Sequence, residues 1–150
     1  MHYSFEKALR LTEFFGDDTD LFVLNGDIVD KFSFRFENGK IVEVSAEKGR
    51  KLLKSAITVD EGASYLGECA LVPYNSPIQN TGLLFYNTLF DENAACHLAL
   101  GEGFSQCIKG SENLTLEQCR EKGINKSIIH EDFMIGAQDL DITATTRDGR

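Results

Sequence analysis

Residues 30–49, "DKFSFRFENGKIVEVSAEKG", decide how the fold is read. Phe32, Phe34 and Phe36 alternate with Ser33 and Arg35, the period of a strand with one buried face. "ENGK" then puts Asn38 and Gly39 where a two-residue turn needs positive φ, and Ile41, Val42 and Val44 run back. The stretch predicts a β-hairpin and, with it, antiparallel pairing.

Outward from the hairpin, "FEKALRLTEFF" (5–15) spaces its apolar residues as a helix does. "GDDTD" (16–20) ends it; it lacks the central glycine and final glutamate of a calcium loop and reads as a capped surface turn. "LFVLNG" (21–26) predicts a short strand. After the hairpin, "AEKGRKLLKSAI" (46–57) predicts a helix, weakened at its start by Gly49. "SYLGECALVPY" (64–74) is a mostly apolar strand with one glutamate, and "LLFYNTLF" (83–90) a further strand or a buried connection. "DENAACHLALGEGF" (91–104) suits a helix whose acidic first turn complements the dipole. "TLEQCREKG" (115–123) is a short helix capped by Thr115 and stopped at Gly123. "SIIHEDFMIG" (127–136) and "LDITATTRDG" (140–149) predict two closing strands. Such an order of elements indicates an α+β fold, mainly antiparallel, with flanking short helices.

With 150 residues, 42% of them hydrophobic and two prolines, residues 1–150 are expected to form a single globular domain. The formal charge of −9 (15 basic minus 24 acidic residues) argues against nucleic acid or an anionic membrane as partner. It favours metal ions, amines and other cations instead. No apolar run approaches the ~20 residues of a membrane span, and the N-terminus has no signal-peptide core, so a cytoplasmic protein is expected. Cys69, Cys96, Cys107 and Cys119 show no CxxC spacing; they read as free thiols, Cys69 and Cys96 as core packers.

Within this apolar framework three places carry ionisable groups: Glu68 in "LGECALVP", His97 in "NAACHLALG", and His130 with Asp132 in "SIIHEDFMIG". On a strand, His130, Asp132 and Met134 share one face, and Ile129, Glu131, Phe133 and Ile135 the other. Two readings stay open for these groups. They are a hydrogen-bonded polar network, or imidazoles and carboxylates gathered around Zn²⁺, Co²⁺ or Mn²⁺. HExxH, GxGxxG, GxxxxGK[ST] and GxSxG are all absent.

"DEGASYLGECALVPYNSPI", "GLLFYNTLFDENAACHLALGEGF", "NKSIIHEDFMIG" and "LDITATTRDG" together resemble the C-terminal half of the thermophilic-type metallo-aminopeptidases, the family of aminopeptidase T, aminopeptidase S and PepS. The resemblance runs from about Phe34 to the end. It implies a homodimer with two divalent ions, zinc or cobalt, that removes single residues from peptides with a free N-terminus. Carried across position by position, it implies Glu68, His97, His130 and Asp132 as metal ligands and assigns no catalytic base. Asp91, Glu92 and Asp139 are candidates to accept from the outer nitrogens of the histidines. Two departures stand out. Phe104 occupies the position of a ligand tyrosine, and the family's upstream "PTEE" segment, with its ligand glutamate, does not occur in these 150 residues. Most of the family's N-terminal domain has no counterpart either, and 1–30 match it poorly. These departures imply an activity that is weakened, or a partner subunit that is inactive by itself.

Overall fold

The computed structural model describes residues 13–15, 22–24 and 27–142. The hairpin forms as predicted: β3 (Asp27–Glu37) pairs with β4 (Lys40–Lys48) across the turn at Asn38 and Gly39, both at positive φ. Its register slips once between Arg35 and Phe36, so Phe34 faces Val44 and Phe36 faces Ile41. Val42 is the extra residue; it is exposed, while Ile41 and Val44 both turn inward. On its other edge β3 pairs with β1 (Glu13–Phe15) and β2 (Phe22–Leu24), both antiparallel.

A second antiparallel sheet has the order β5 (Leu66–Ala70), β6 (His97–Gly101), β7 (His130–Met134). Among the described residues, three short helices flank the sheets: α1 (Arg50–Ala56), α2 (Thr88–Asp91) and α3 (Leu116–Glu121). Thr115 and Gln118 form a capping box on α3, as the cap reading required. The α+β, mainly antiparallel expectation holds.

The two sheets share one core. Phe32, Phe34 and Phe36 from β3 meet Leu98, Leu100 and Phe133 from β6 and β7. Phe133 sits edge-on to Phe32 at 6.0 Å and to Phe34 at 5.3 Å between ring centroids. This packing fixes which face of the second sheet points inward, and therefore which face is left for chemistry.

Five expectations are overturned or fall, wholly or in part, outside the described residues. "DENAACHLALGEGF" is not a helix: a single 3-10 turn (Glu92–Ala94) leads into β6. Alanine and leucine favour a helix locally, but His97–Gly101 is the central strand, buried at all five positions. A short apolar run of that kind has no period to distinguish the two states. "LLFYNTLF" is neither strand nor buried connection. Leu83, Leu84, Phe85 and Tyr86 are exposed in a loop, and α2 follows. The Asp91 carboxylate holds that loop by accepting from the N–H groups of Phe85 and Asn87, each at 2.9 Å. In the closing stretch, 140–142 are irregular, and the remainder lies outside the described residues. So do the "GDDTD" turn and the opening helix up to residue 12, whereas Glu13–Phe15 is strand.

Candidate metal centre

The site is built on the outward face of the β5–β6–β7 sheet, where side chains alternate with the core residues. Antiparallel register sets Ala99 opposite Asp132 and Gly101 opposite His130. His97 follows the same period on β6. His130, Asp132 and Met134 thus share a face, as the alternation predicted, and Phe133 enters the core.

Glu68 joins them only because β5 is bulged. Leu66 pairs with Leu100, yet Glu68 pairs with Ala99, so Gly67 and Glu68 together span one position of β6. Without the extra residue Glu68 would stand opposite Leu98 and point into the phenylalanine core. Gly67 permits the bulge: a Cβ there would lie 2.4 Å from the carbonyl oxygens of both Gly101 and Glu102. Ala99, between Glu68 and Asp132 in the cross-strand row, contributes only a methyl and leaves the space above it open.

The four expected residues converge. His130 Nε2 lies 3.1 Å from Glu68 Oε2 and 3.4 Å from Asp132 Oδ1. His97 Nε2 lies 3.7 Å from Glu68 Oε1. Both imidazoles are oriented through Nδ1, which donates to a backbone carbonyl: Ala95 at 3.0 Å for His97 and Glu102 at 2.7 Å for His130. Nε2 of each ring is therefore turned towards the carboxylates. A metal-ligating histidine is held in this way, its other nitrogen on a carbonyl.

Asp132 is 5% exposed, and its Oδ1, 3.4 Å from His130 Nε2, has no hydrogen-bond partner. A buried carboxylate oxygen without a donor calls for a cation. The donor set fits a divalent ion: Glu68, His130 and Asp132 each offer an atom within 4.8 Å of the others. The same electrostatics push His130 up to about 9, chiefly through the adjoining Asp132 carboxylate and against the effect of burial. Burial, then the charge of Asp132, raises the Glu92 carboxyl.

Of the candidate outer residues, Asp91 is committed to its loop and Asp139 is exposed. Glu92 stands inside the site, in a second group of donors with His97 and Asp132. The sequence reading gave it as a candidate to accept from an outer histidine nitrogen or as a helix-end charge. Phe104 packs its ring on His130, 4.7 Å between centroids, and so walls the site without offering an oxygen. Cys96 is buried and exchanges hydrogen bonds with the backbone of Val72. Cys69 is half-buried, and burial pushes its thiol up.

Comparison with known proteins shows the family. Residues 19–150 match the family described as thermophilic metalloprotease (M29). Aminopeptidase AmpS of Bacillus subtilis (strain 168) is 50% identical over 125 residues, which are 83% of this chain and 30% of that protein. Aminopeptidase T of Thermus aquaticus is 46% identical over 126 residues, 84% of this chain and 30% of its own length. The solved structure of wild-type AmpT from Thermus thermophilus superposes with a TM-score of 0.73 at 40% identity, covering 92% of this chain and 35% of that one. The chain thus spans about 30% of the length of the curated relatives it matches.

Proposed function

The chain belongs to the thermophilic metalloprotease (M29) family, and from that premise we propose that it is the C-terminal catalytic part of a metallo-aminopeptidase. The observation that carries this reading is the convergence of Glu68, His97, His130 and Asp132, with both imidazoles presenting Nε2 to the carboxylates. In it, these four residues hold zinc or cobalt. A bound divalent ion supplies Lewis acidity and lowers the pKa of water, the chemistry that peptide hydrolysis at neutral pH needs.

The chain's own residues do the rest. The carbonyls of Ala95 and Glu102 fix the tautomer and direction of the two imidazoles. The excess of carboxylates draws the α-ammonium of a peptide with a free N-terminus, which favours exopeptidase selection. Phe104 shields the His130 side. No residue is assigned as catalytic base. The resemblance further supports a homodimer in the cytoplasm.

The substitution of Phe104 for the family's tyrosine favours a weakened activity, and the "PTEE" glutamate does not lie within these 150 residues. Loss of supporting groups alone lowers affinity or activity by about 10–100-fold, and loss of direct ligands by at least that. Metal analysis and hydrolysis of aminoacyl-p-nitroanilides test the proposal. Slow turnover that needs zinc or cobalt and vanishes with chelator is expected. Metal uptake without turnover would favour the non-catalytic partner subunit. No uptake, with a melting temperature indifferent to zinc and chelator, would leave only a metal-free polar network.

A further inference from the structure

We infer that the cleft between the approaches to β5 and β7 binds a small oxyanion, a carboxylate or a phosphate, through Arg120. β5 and β7 both run antiparallel to β6, so they start at the same end of the sheet. There residues 60–65, which lead into β5, meet residues 125–128, which lead towards β7, and α3 supplies Arg120. The cleft has a volume of about 600 Å³, and none of Glu68, Glu92, His97, His130 and Asp132 lines it. The inference therefore stands apart from the metal reading.

Arg120 is the reason to expect a ligand. A guanidinium carries five N–H donors and cannot shed its charge. The Arg120 side chain is only 19% exposed, yet its guanidinium donates no hydrogen bond to a described residue, and Nε is buried without an acceptor. Glu102 Oε1 stays 3.6 Å from Nη2, and the other oxygen of that carboxylate is taken by the Ser127 N–H at 2.6 Å. Donors buried in this state cost stability. An oxyanion offers the paired, coplanar acceptors that a guanidinium fits.

The obvious alternative is that an acid of the cleft itself serves Arg120. Asp60 is already committed, accepting from the N–H groups of Ala63 at 2.8 Å and Ile128 at 2.7 Å and from Ser127 Oγ at 3.0 Å. Glu61 is exposed and forms no ion pair with Arg120. Lys126 stands exposed on the lining and adds a second positive charge. The walls are set beforehand, which lowers the cost of binding. Asn125 Nδ2 donates to the Gly62 carbonyl at 2.8 Å, and a Cβ on Gly62 would run into the carbonyl oxygen of Lys126. A chain of net charge −9 repels anions in general, so one that binds must find such a local site.

The test uses the 150-residue chain stripped of metal and then dialysed free of chelator, so that neither competes for the anion. It is titrated with inorganic phosphate and with an N-acetyl dipeptide whose C-terminus is free or amidated. Binding is read from the ¹⁵N–¹H signals of Arg120 Nε and of the Ser127 and Ile128 amides. A saturable shift is expected, and Arg120→Gln should weaken binding by about 10–100-fold. A response to the free-acid peptide and not to its amide identifies a peptide carboxylate as the ligand. A response to phosphate alone identifies free phosphate. No saturable response to any probe overturns the inference, as does an amidated peptide that binds as tightly as the free acid. Parental affinity in Arg120→Gln overturns it too. Should Arg120→Gln not fold, Arg120→Lys carries the test: it keeps the charge but loses the planar fork, and unchanged affinity overturns the inference. Each of these outcomes leaves the proposed function standing.

Discussion

On one face of the β5–β6–β7 sheet, Leu98, Leu100 and Phe133 meet the phenylalanines of the hairpin; on the other, Glu68, His97, His130 and Asp132 meet each other. The same three strands build both, one residue out of phase. The inner face gains stability from non-directional burial, which rewards volume and tolerates small shifts. The outer face is directional. Each imidazole is aimed by one carbonyl, and Asp132 Oδ1 is left without a donor. Without a cation such a face costs stability, as functional sites commonly do. The contrast separates what holds the fold from what the fold is built to hold.

The sharpest way to break the comparison is Phe133→Ala. Phe133 is 1% exposed and touches two aromatic rings across the sheets. Denaturant unfolding should show a loss of about 3–5 kcal/mol, and metal uptake should fall with it because the sheet loses its anchor. A loss below about 1 kcal/mol would show that the two sheets are not joined through this ring.

Asp132→Asn probes the opposite face, and its cost should depend on metal. In chelator at neutral pH, stability should fall by about 1 kcal/mol, since the carboxylate that raises His130 is removed. With zinc at about 100 times the dissociation constant the parent should gain roughly 2.7 kcal/mol, and the variant nothing. A variant destabilised equally with and without zinc would make Asp132 a structural residue like Phe133.

The smallest effect concerns the loop that feeds β7. Asp60 accepts from the Ile128 N–H at 2.7 Å and from Ser127 Oγ at 3.0 Å. These bonds, the Ile128 one first, hold its carboxyl below the usual carboxylate range. Its contribution is present above the unfolded value near pH 4 and is lost as pH falls through the depressed folded value. Unfolding titrations of the parent and Asp60→Asn between pH 6 and pH 2.5 should therefore converge at the acid end. A gap independent of pH would deny the carboxylate this role.

Legibility followed range along the chain. The hairpin was readable because its turn, Asn38 and Gly39, and its alternating phenylalanines act through neighbouring φ and ψ preferences. The shared face of His130 and Asp132 was readable for the same reason: a strand's period is set by its own backbone. His97 was singled out as an ionisable group in an apolar run but set on a helix, since Ala94, Ala95, Leu98 and Ala99 favour one locally. Glu68's direction was hidden, although Gly67 inside an apolar run is the usual mark of a bulge.

The residue types able to bind a cation, and the hairpin that organises the core, follow from the chain alone. Which face Glu68 takes, that His97 lies on a central strand, and that Glu92 enters the donor set were decided by tertiary structure. The reason is that burial between β5 and β7, and contact with the phenylalanines of β3, select among conformations that local energies leave nearly equal.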